Sequence, residues 1–468
     1  MAESWATLGV DLHLEPTGSG GLRRGLTDAL RDAVRTGRLA PGTRLPSSRS
    51  LAADLGIARN TVAEAYADLV AEGWLTARQG SGTRVAQRDA VPSPGASRDR
   101  GAAPRREHPA RPAYSLLPGS PDLSAFPRAE WLRAARRALA AAPHDALGYG
   151  DPRGRVELRT ALAGYLARVR GVRADPETVL ITSGFAHALR ITGGLLGARG
   201  VRTVAVESYG LDAYRDVLQQ AGLATPALPY DELGTDTRVL GEAGAVLLTP
   251  AHQFPMGTPL HPDRRAAVVD WARRAGGLVL EDDYDGEFRY DRQPVGALQG
   301  LDPDRVIYFG TASKSLAPGL RLGWMVLPPA LAQEAASVKG TTDTVGIIEQ
   351  LTLAEFLTSG AYDRHVRACR LRYRRRRDAL AEAVAARAPE VTVTGIAAGL
   401  HAVLRLPDGL EQSVVQAAAW QGLALHGLSF HRHPQAAAEP LDALVVGYAT
   451  PPDSAWAGAL EALCRVLP

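Results

Sequence analysis

Gly310-Thr311-Ala312-Ser313-Lys314, followed seven residues later by Arg321, is the stretch that decides the fold. It directly follows the apolar run Val306-Ile307-Tyr308-Phe309. About 30 residues earlier another apolar run, Leu278-Val279-Leu280, ends in acids: Glu281-Asp282-Asp283-Tyr284-Asp285. Further strand-like runs at Thr178–Thr182, Val201–Val206 and Ala245–Leu248 alternate with helix-like segments. That alternation predicts a doubly wound, mostly parallel α/β sheet. The last hundred residues carry a long Arg-rich helix from Arg364 to about Ala386. Strands near Val391–Val393, His401–Leu406 and Leu444–Tyr448 follow it, so a smaller α+β part is expected there.

A lysine beside phosphate donors and opposite a carboxylate is what pyridoxal 5'-phosphate requires, because the carboxylate keeps the pyridine nitrogen protonated and the ring electron-withdrawing. Thr311, Ser313 and Arg321 offer two hydroxyls and a guanidinium for the phosphate. Ser183-Gly184, just past the run ending at Thr182, offers backbone amides at a helix N-terminus as a second grip.

The other decisive stretch lies at the opposite end. Leu22, Leu26, Ala29, Leu30, Ala33 and Val34 recur at three- and four-residue spacing, which is an amphipathic helix ended by Gly37. Ser47-Ser48-Arg49-Ser50 offers N-caps for a second helix closed by Gly56, and a third runs from Asn60-Thr61 to about Glu72. Two short helices around a glycine turn form a helix-turn-helix. Gly73–Thr76 and Thr83–Ala86 alternate like strands around Gln79-Gly80-Ser81-Gly82, which predicts a wing. Residues 87–112 are rich in Pro, Ala, Gly and Arg without apolar period and read as a linker. The predicted organisation is a head over 15–86, this linker, and a body over 113–468 with a large part at about 140–330 and a small part at about 340–468.

Bulk properties agree. The 468 residues exceed one ordinary core, and 46% hydrophobic with 22% charged residues is a globular balance. No run approaches 18 apolar residues and Met1–Trp5 lacks a signal-peptide pattern, so the cytoplasm is the expected location and no membrane partner is expected. Two cysteines give no metal spacing. The net charge of +3 hides an asymmetry: residues 21–85 hold ten arginines against six acids, and 87–112 hold six against three. The excess is N-terminal, which suits a polyanion.

Leu45-Pro46-Ser47-Ser48-Arg49, Leu55-Gly56-Ile57-Ala58-Arg59-Asn60-Thr61-Val62, Ala71-Glu72-Gly73-Trp74-Leu75 and Gly80-Ser81-Gly82-Thr83 follow in the order and spacing of a known pattern. From about Gly21 the chain resembles the MocR (GabR-like) branch of the GntR regulators, which join a GntR-type winged helix-turn-helix to a fold-type I aminotransferase-like domain. The resemblance implies a homodimer, domain-swapped or not, that binds double-stranded operator DNA. In the head, Arg59, Asn60 and Thr61 open the recognition helix, where side chains meet base edges. Arg49 would grip the backbone, with Arg44, Ser48, Gln79 and Gly80 as further DNA contacts. In the body, the resemblance gives Asp282 to the pyridine nitrogen and Tyr284 to the ring's phenolic oxygen. It gives Tyr149 to the phosphate of a neighbouring subunit and the loop of His252 to the side of the phenolic oxygen. Asp283 and Asp285 are expected to be structural.

Two departures matter. Glu207-Ser208-Tyr209-Gly210-Leu211 stands where relatives carry an acidic-x-Pro-Gly-Tyr run, leaving Tyr209 or Phe185 as aromatic partner of the ring, with Tyr209 favoured. Val445-Val446-Gly447-Tyr448 lacks the arginine that active aminotransferases use for a substrate carboxylate, and Arg432, flanked by His431 and His433, is the candidate effector ligand. Sensing is therefore expected over turnover. The expected effector is an amine, an amino acid or the cofactor itself, and the regulated pathway vitamin B6 or amino-acid and amine metabolism. An active aminotransferase with an accessory head is the competing reading. The arginines at 372–377 are expected to form a solvated helix surface.

Overall fold

Leu26, Leu30 and Ala33 are buried on the inner side of the helix Leu22–Arg35, as their spacing requires. The computed structural model describes residues 21–78, 82–86, 112–290, 295–341, 345–437 and 439–468. The chain divides into two units at 107/108. In the first unit the Ser47 side chain accepts the Ser50 amide at 3.1 Å to open the helix Ser48–Leu55, and Gly56, at φ 65°, closes it. The third helix, Arg59–Ala71, turns Val62, Ala65, Tyr66 and Leu69 inward, and Tyr66 donates to the Pro46 carbonyl at 3.1 Å. Strands Leu75–Arg78 and Gly82–Val85 pair antiparallel, and Leu75 and Val85 complete the core. Residues 87–111, within the expected linker, lie outside the described residues, as do Gln79 and Gly80.

The second unit is built on six strands in the order Val179–Thr182, Gly323–Val326, Val306–Thr311, Leu278–Asp282, Ala245–Leu248, Val204–Val206. All run parallel except Gly323–Val326, which is antiparallel to both neighbours. The expected doubly wound sheet is present, but this strand was not among those expected. An antiparallel neighbour needs only a short return, whereas a parallel one needs a crossover. The segment carrying Lys314 is therefore the return between two adjacent strands, which sets Thr311 opposite Gly323 in the ladder. Helices cover both faces, so the strands are buried apart from Leu247, which lines the cavity described below.

A four-stranded antiparallel sheet, Thr392–Thr394, Ala402–Arg405, Ala443–Val446 and His426–Gly427, packs with the helices Ala361–Arg387, Glu411–Trp420 and Asp453–Val466. Tyr114–Ser115 pairs with Leu423–Ala424, and Leu116 is buried in this same core. At the other boundary Leu353, Phe356 and Tyr362 are buried with the large sheet. The two cores therefore exchange segments at both ends instead of dividing near 330–340, because each segment joins the apolar surface its own stripe matches. The arginine run also departs from expectation. Arg374 and Arg375 are exposed, but Arg376 is buried, pairing with Asp122 at 3.0 Å and with Asp453 and donating to the Pro451 carbonyl at 2.7 Å.

Beneath the Lys314 loop, Tyr362 places its hydroxyl 2.7 Å from Ser315 Oγ and 3.1 Å from Glu287 Oε1. Burial, with the Asp283 carboxylate adding to it, pushes Glu287 from 4.5 up to about 7. A folded-state value above the unfolded one gives stability that is present below about pH 4.5 and lost as pH rises through about 7. Glu287→Gln removes that loss. Urea-unfolding midpoints at about pH 5 and about pH 8 should show the variant gaining on the wild type as pH rises.

Candidate functional site

Lys314 lies at the floor of a cavity between the large sheet and the smaller part, with Asp282, Tyr284, Tyr214, Thr249 and Glu207 from the large part and Pro118, Gly119, His401, His426 and His431 from the other. Its ammonium donates to the Gly119 carbonyl at 2.5 Å. Burial lowers the Lys314 pKa, and the nearby Asp282 carboxylate opposes that shift. Asp282 ends the strand Leu278–Asp282 and is 6% exposed. Burial holds its pKa well above the carboxylate range, and the nearby Lys314 only partly offsets this.

The acids around Asp282 have other work. Side chains alternate along an extended chain, so Glu281 and Asp283 point away from Asp282. Asp283 accepts two hydrogen bonds from Arg170, at 2.6 and 2.9 Å, and one from Tyr308 at 2.7 Å. Glu281 accepts the Leu298 and Gln299 amides at 2.7 and 2.9 Å. Asp285 lies 2.8 Å from His252 Nδ1, which lies 3.0 Å from the Tyr284 hydroxyl. His252 is thus behind Tyr284 and outside the cavity lining, since its ring is stacked on the tyrosine and held by Asp285. With His401 it forms a buried trio whose ligand atoms lie within 4.8 Å, although the His401 Nε2 faces the Pro255 carbonyl at 2.9 Å.

The expected phosphate donors converge. Gly184, at φ 97°, caps the helix Phe185–Ala198 from its N-terminus, and the Arg321 guanidinium reaches the Ser183 carbonyl. A Cβ on Gly184 would stand 3.1 Å from Arg321, and one on Gly323 would stand 2.9 Å from the Gly184 Cα, so both glycines are needed for this approach. Thr311 and Ser313 hydroxyls are 2.9 Å apart across the ladder from Gly323. Arg321 is the one positive-φ non-glycine among the described residues, at φ 53°, a conformation that costs about 1–2 kcal/mol. Hydroxyls, amides at a helix N-terminus and a guanidinium beside a buried lysine and a carboxyl form a donor set that fits pyridoxal 5'-phosphate.

Four expected residues sit wholly or partly elsewhere. Tyr149 is fully exposed and far from a role in its own cavity. Tyr209 is 3% exposed, edge-on to Tyr230 and packed with Val403, Leu428 and Val445, so only part of it faces the cavity. Phe185 packs against Tyr214 and Phe309 outside the lining. Arg432 turns away and donates to the Ala436 carbonyl at 2.8 Å, because its backbone bridges Tyr209 and leaves the wall to His431. Sequence reading missed Tyr214, whose pKa burial raises and which interacts with both Asp282 and Arg321, and its neighbour Arg215. The available signal was their place on the helix that follows the carboxyl end of Val204–Val206, where parallel sheets bind ligands.

In the head, Arg59, Asn60 and Thr61 begin the third helix, which has no side-chain cap and no acid in its first turn. Arg59, Asn60 and Arg49 are exposed, Ser48 begins the second helix, and Arg44 bridges to Arg84 in the wing. Arg23 and Arg31 of the first helix are instead tied to Asp68 of the third and to Glu72 at its C-cap. The acids of the third helix are thus occupied on the side away from its N-terminus.

Residues 22–85 match the gntR family of bacterial regulatory proteins, and 119–427 match the aminotransferase class I and II family. The chain is 35% identical over 87% of its length to the HTH-type pyridoxine biosynthesis transcriptional regulator PdxR of Corynebacterium glutamicum, covering 88% of that protein. It is 34% identical over 92% of its length to the probable rhizopine catabolism regulatory protein MocR of Rhizobium meliloti, covering 90% of it. The chain belongs to the MocR-type GntR regulators. It is a DNA-binding transcriptional regulator whose second unit is an aminotransferase-like, pyridoxal phosphate-type domain. That unit resembles the kynurenine aminotransferase of Pyrococcus horikoshii, solved in complex with PMP, at TM-score 0.67 and 26% identity over 75% of this chain and 90% of that one. Among the described residues no helix is long and apolar enough to cross a membrane.

The two neighbouring acids separate by unfolding measurements. Asp283→Asn leaves the buried Arg170 without its charge partner and should cost about 3–5 kcal/mol. Asp282→Asn, which removes a carboxyl that burial disfavours in its charged form, should leave the cofactor-free chain as stable or more so in the same denaturation series.

Proposed function

We propose that this regulator senses a small molecule at a cofactor held on Lys314 and conveys the result to its DNA-binding head. The observation that carries the reading is one cavity containing Lys314 and Asp282, together with Val445, which by resemblance stands where active aminotransferases carry a carboxylate-binding arginine and is fully buried against Tyr209, Val403 and Leu428. Pyridoxal phosphate supplies a reactive aldehyde and an electron-withdrawing ring when bound. Lys314, its pKa lowered by burial, supplies an amine to that aldehyde, and Asp282 pairs with the ring nitrogen. Tyr284, oriented by His252 and Asp285, donates to the phenolic oxygen. Ser183, Gly184, Thr311, Ser313 and Arg321 hold the phosphate, and the exposed Tyr149 serves the second subunit of a homodimer.

The domain is used for sensing, not turnover, and the effector is an amine, an amino acid or the cofactor itself. The similarity to a pyridoxine biosynthesis regulator favours a vitamin B6 target, with amino-acid or amine metabolism as the other. In the head, Arg59, Asn60 and Thr61 read the operator while Arg44, Ser48 and Arg49 grip phosphates. A ligand acts on the head only by favouring one arrangement of the dimer energetically.

Absorption spectra with pyridoxal phosphate should show a visible band in the wild type that Lys314→Ala lacks. Titration with amines should shift that band and change promoter affinity together without sustained product formation. Steady turnover would favour the aminotransferase reading, and no Lys314-dependent band would remove the cofactor role. Arg59→Ala should weaken binding to a promoter fragment and, where the lost contact is to phosphate, lower the salt dependence by about one unit of slope.

A further inference from the structure

Arg215 enters the cavity from the helix Asp212–Gln220, half-buried. Among the described residues it makes no hydrogen bond and no ion pair. Asp212 and Asp216 on its own helix are exposed, and their attraction does not offset the burial that lowers the Arg215 pKa. His431 and His433 both feel its charge. A guanidinium taken partly out of water and left unpaired is costly, and its five donors suit a carboxylate or phosphate oxygen pair.

The adjoining part of the cavity lining carries the same signal independently. His431 is 1% exposed, and neither ring nitrogen reaches a hydrogen-bond partner, although the ring lies beside the Gly210 backbone. His426 next to it, 5.5 Å between ring centroids, also buries an unpartnered Nδ1. Burial holds His431 down at about 4 and lowers His426 as well, so both are neutral near pH 7 and each can donate one hydrogen bond. The pair is pre-set against Arg215. Gly210 N donates to the His431 carbonyl at 2.8 Å and His433 N to the Ser208 carbonyl at 2.7 Å, which locks this segment to the start of the arginine's helix.

We propose that Arg215 and His431, with His426 beside them, form the anion-binding end of the effector site, replacing the guanidinium that Val445 lacks. The ligand is a small primary amine bearing a carboxylate or a phosphate, its amine toward Lys314 and its anion toward Arg215. This rests on the reading of Lys314 as the cofactor lysine. Arg215, not Arg432, is then the specificity-determining cation, and it supplies from the cavity lining the charge that the apolar, buried Val445 lacks.

The test loads the full-length chain with pyridoxal phosphate and titrates the visible band with ethylamine, β-alanine and O-phosphoethanolamine, in wild type, Arg215→Gln, Arg215→Lys and His431→Gln. The wild type should bind at least one anionic amine about tenfold or more tighter than ethylamine, and which one separates carboxylate from phosphate. Arg215→Gln should abolish the preference, Arg215→Lys restore part of it, and His431→Gln reduce it, while ethylamine affinity stays within about twofold. Equal affinities for all three amines in the wild type, or a preference that survives Arg215→Gln, overturns the proposal. If no Lys314-dependent band forms, the cofactor role fails by itself and the anion site is decided by calorimetry on the cofactor-free chain. Binding of acetate or inorganic phosphate that Arg215→Gln weakens supports it, and identical or absent binding in both chains overturns it.

Discussion

The two-pronged pair between Arg170 and Asp283 is the constraint on which the cavity depends. Asp283 adjoins a strand buried on both faces and is 4% exposed, so its charge is tolerable only with Arg170 and the Tyr308 hydroxyl attached. Once Asp283 is tied beneath the sheet, the alternation of an extended chain turns Asp282 to the other side. The same alternation sends Glu281 down to the Leu298 and Gln299 amides. One carboxyl of the series is thereby presented to the cavity and its two neighbours are spent on holding it there.

The electrostatics of the cavity follow from that placement. Asp282 and Lys314 are both disfavoured in their charged forms by burial and stabilise each other only in part. A site so arranged gains when a group with a complementary proton or charge enters. Val445 sits with Tyr209, Val403, Leu428 and Ala443 in an apolar cluster, where an arginine would bury its charge against hydrocarbon. The free guanidinium of Arg215 and the unpartnered imidazole of His431 stand on the walls that remain.

Much of this was legible because it is written in short motifs. The helix periods, the Ser47 cap and Gly56 fix the head locally, and the run Gly310–Lys314 with Arg321 marks the loop between two strands. Other features depend on partners remote in sequence. The strand Gly323–Val326 is invisible as an antiparallel insertion until its neighbours are known. Tyr114–Ser115 finds Leu423–Ala424 more than three hundred residues later, and Arg376 looks like one of five surface arginines until Asp122 and Asp453 close on it. The ring of His252 stacks on Tyr284, which puts it one layer behind the cavity.

The sequence by itself determined the two-part build, the class of each part, and the residue types that gather around Lys314: Asp282, Ser183, Gly184, Thr311, Ser313 and Arg321. These rest on local periodicity and on residue types whose spacing along one strand or loop sets their direction. Only the tertiary structure decided which arginine enters the cavity and which turns away. Those outcomes depend on the backbone bridge between 208–210 and 431–433, which joins segments some 220 residues apart. The direction of a side chain across such a contact is set by packing and hydrogen-bond partners that no local pattern encodes.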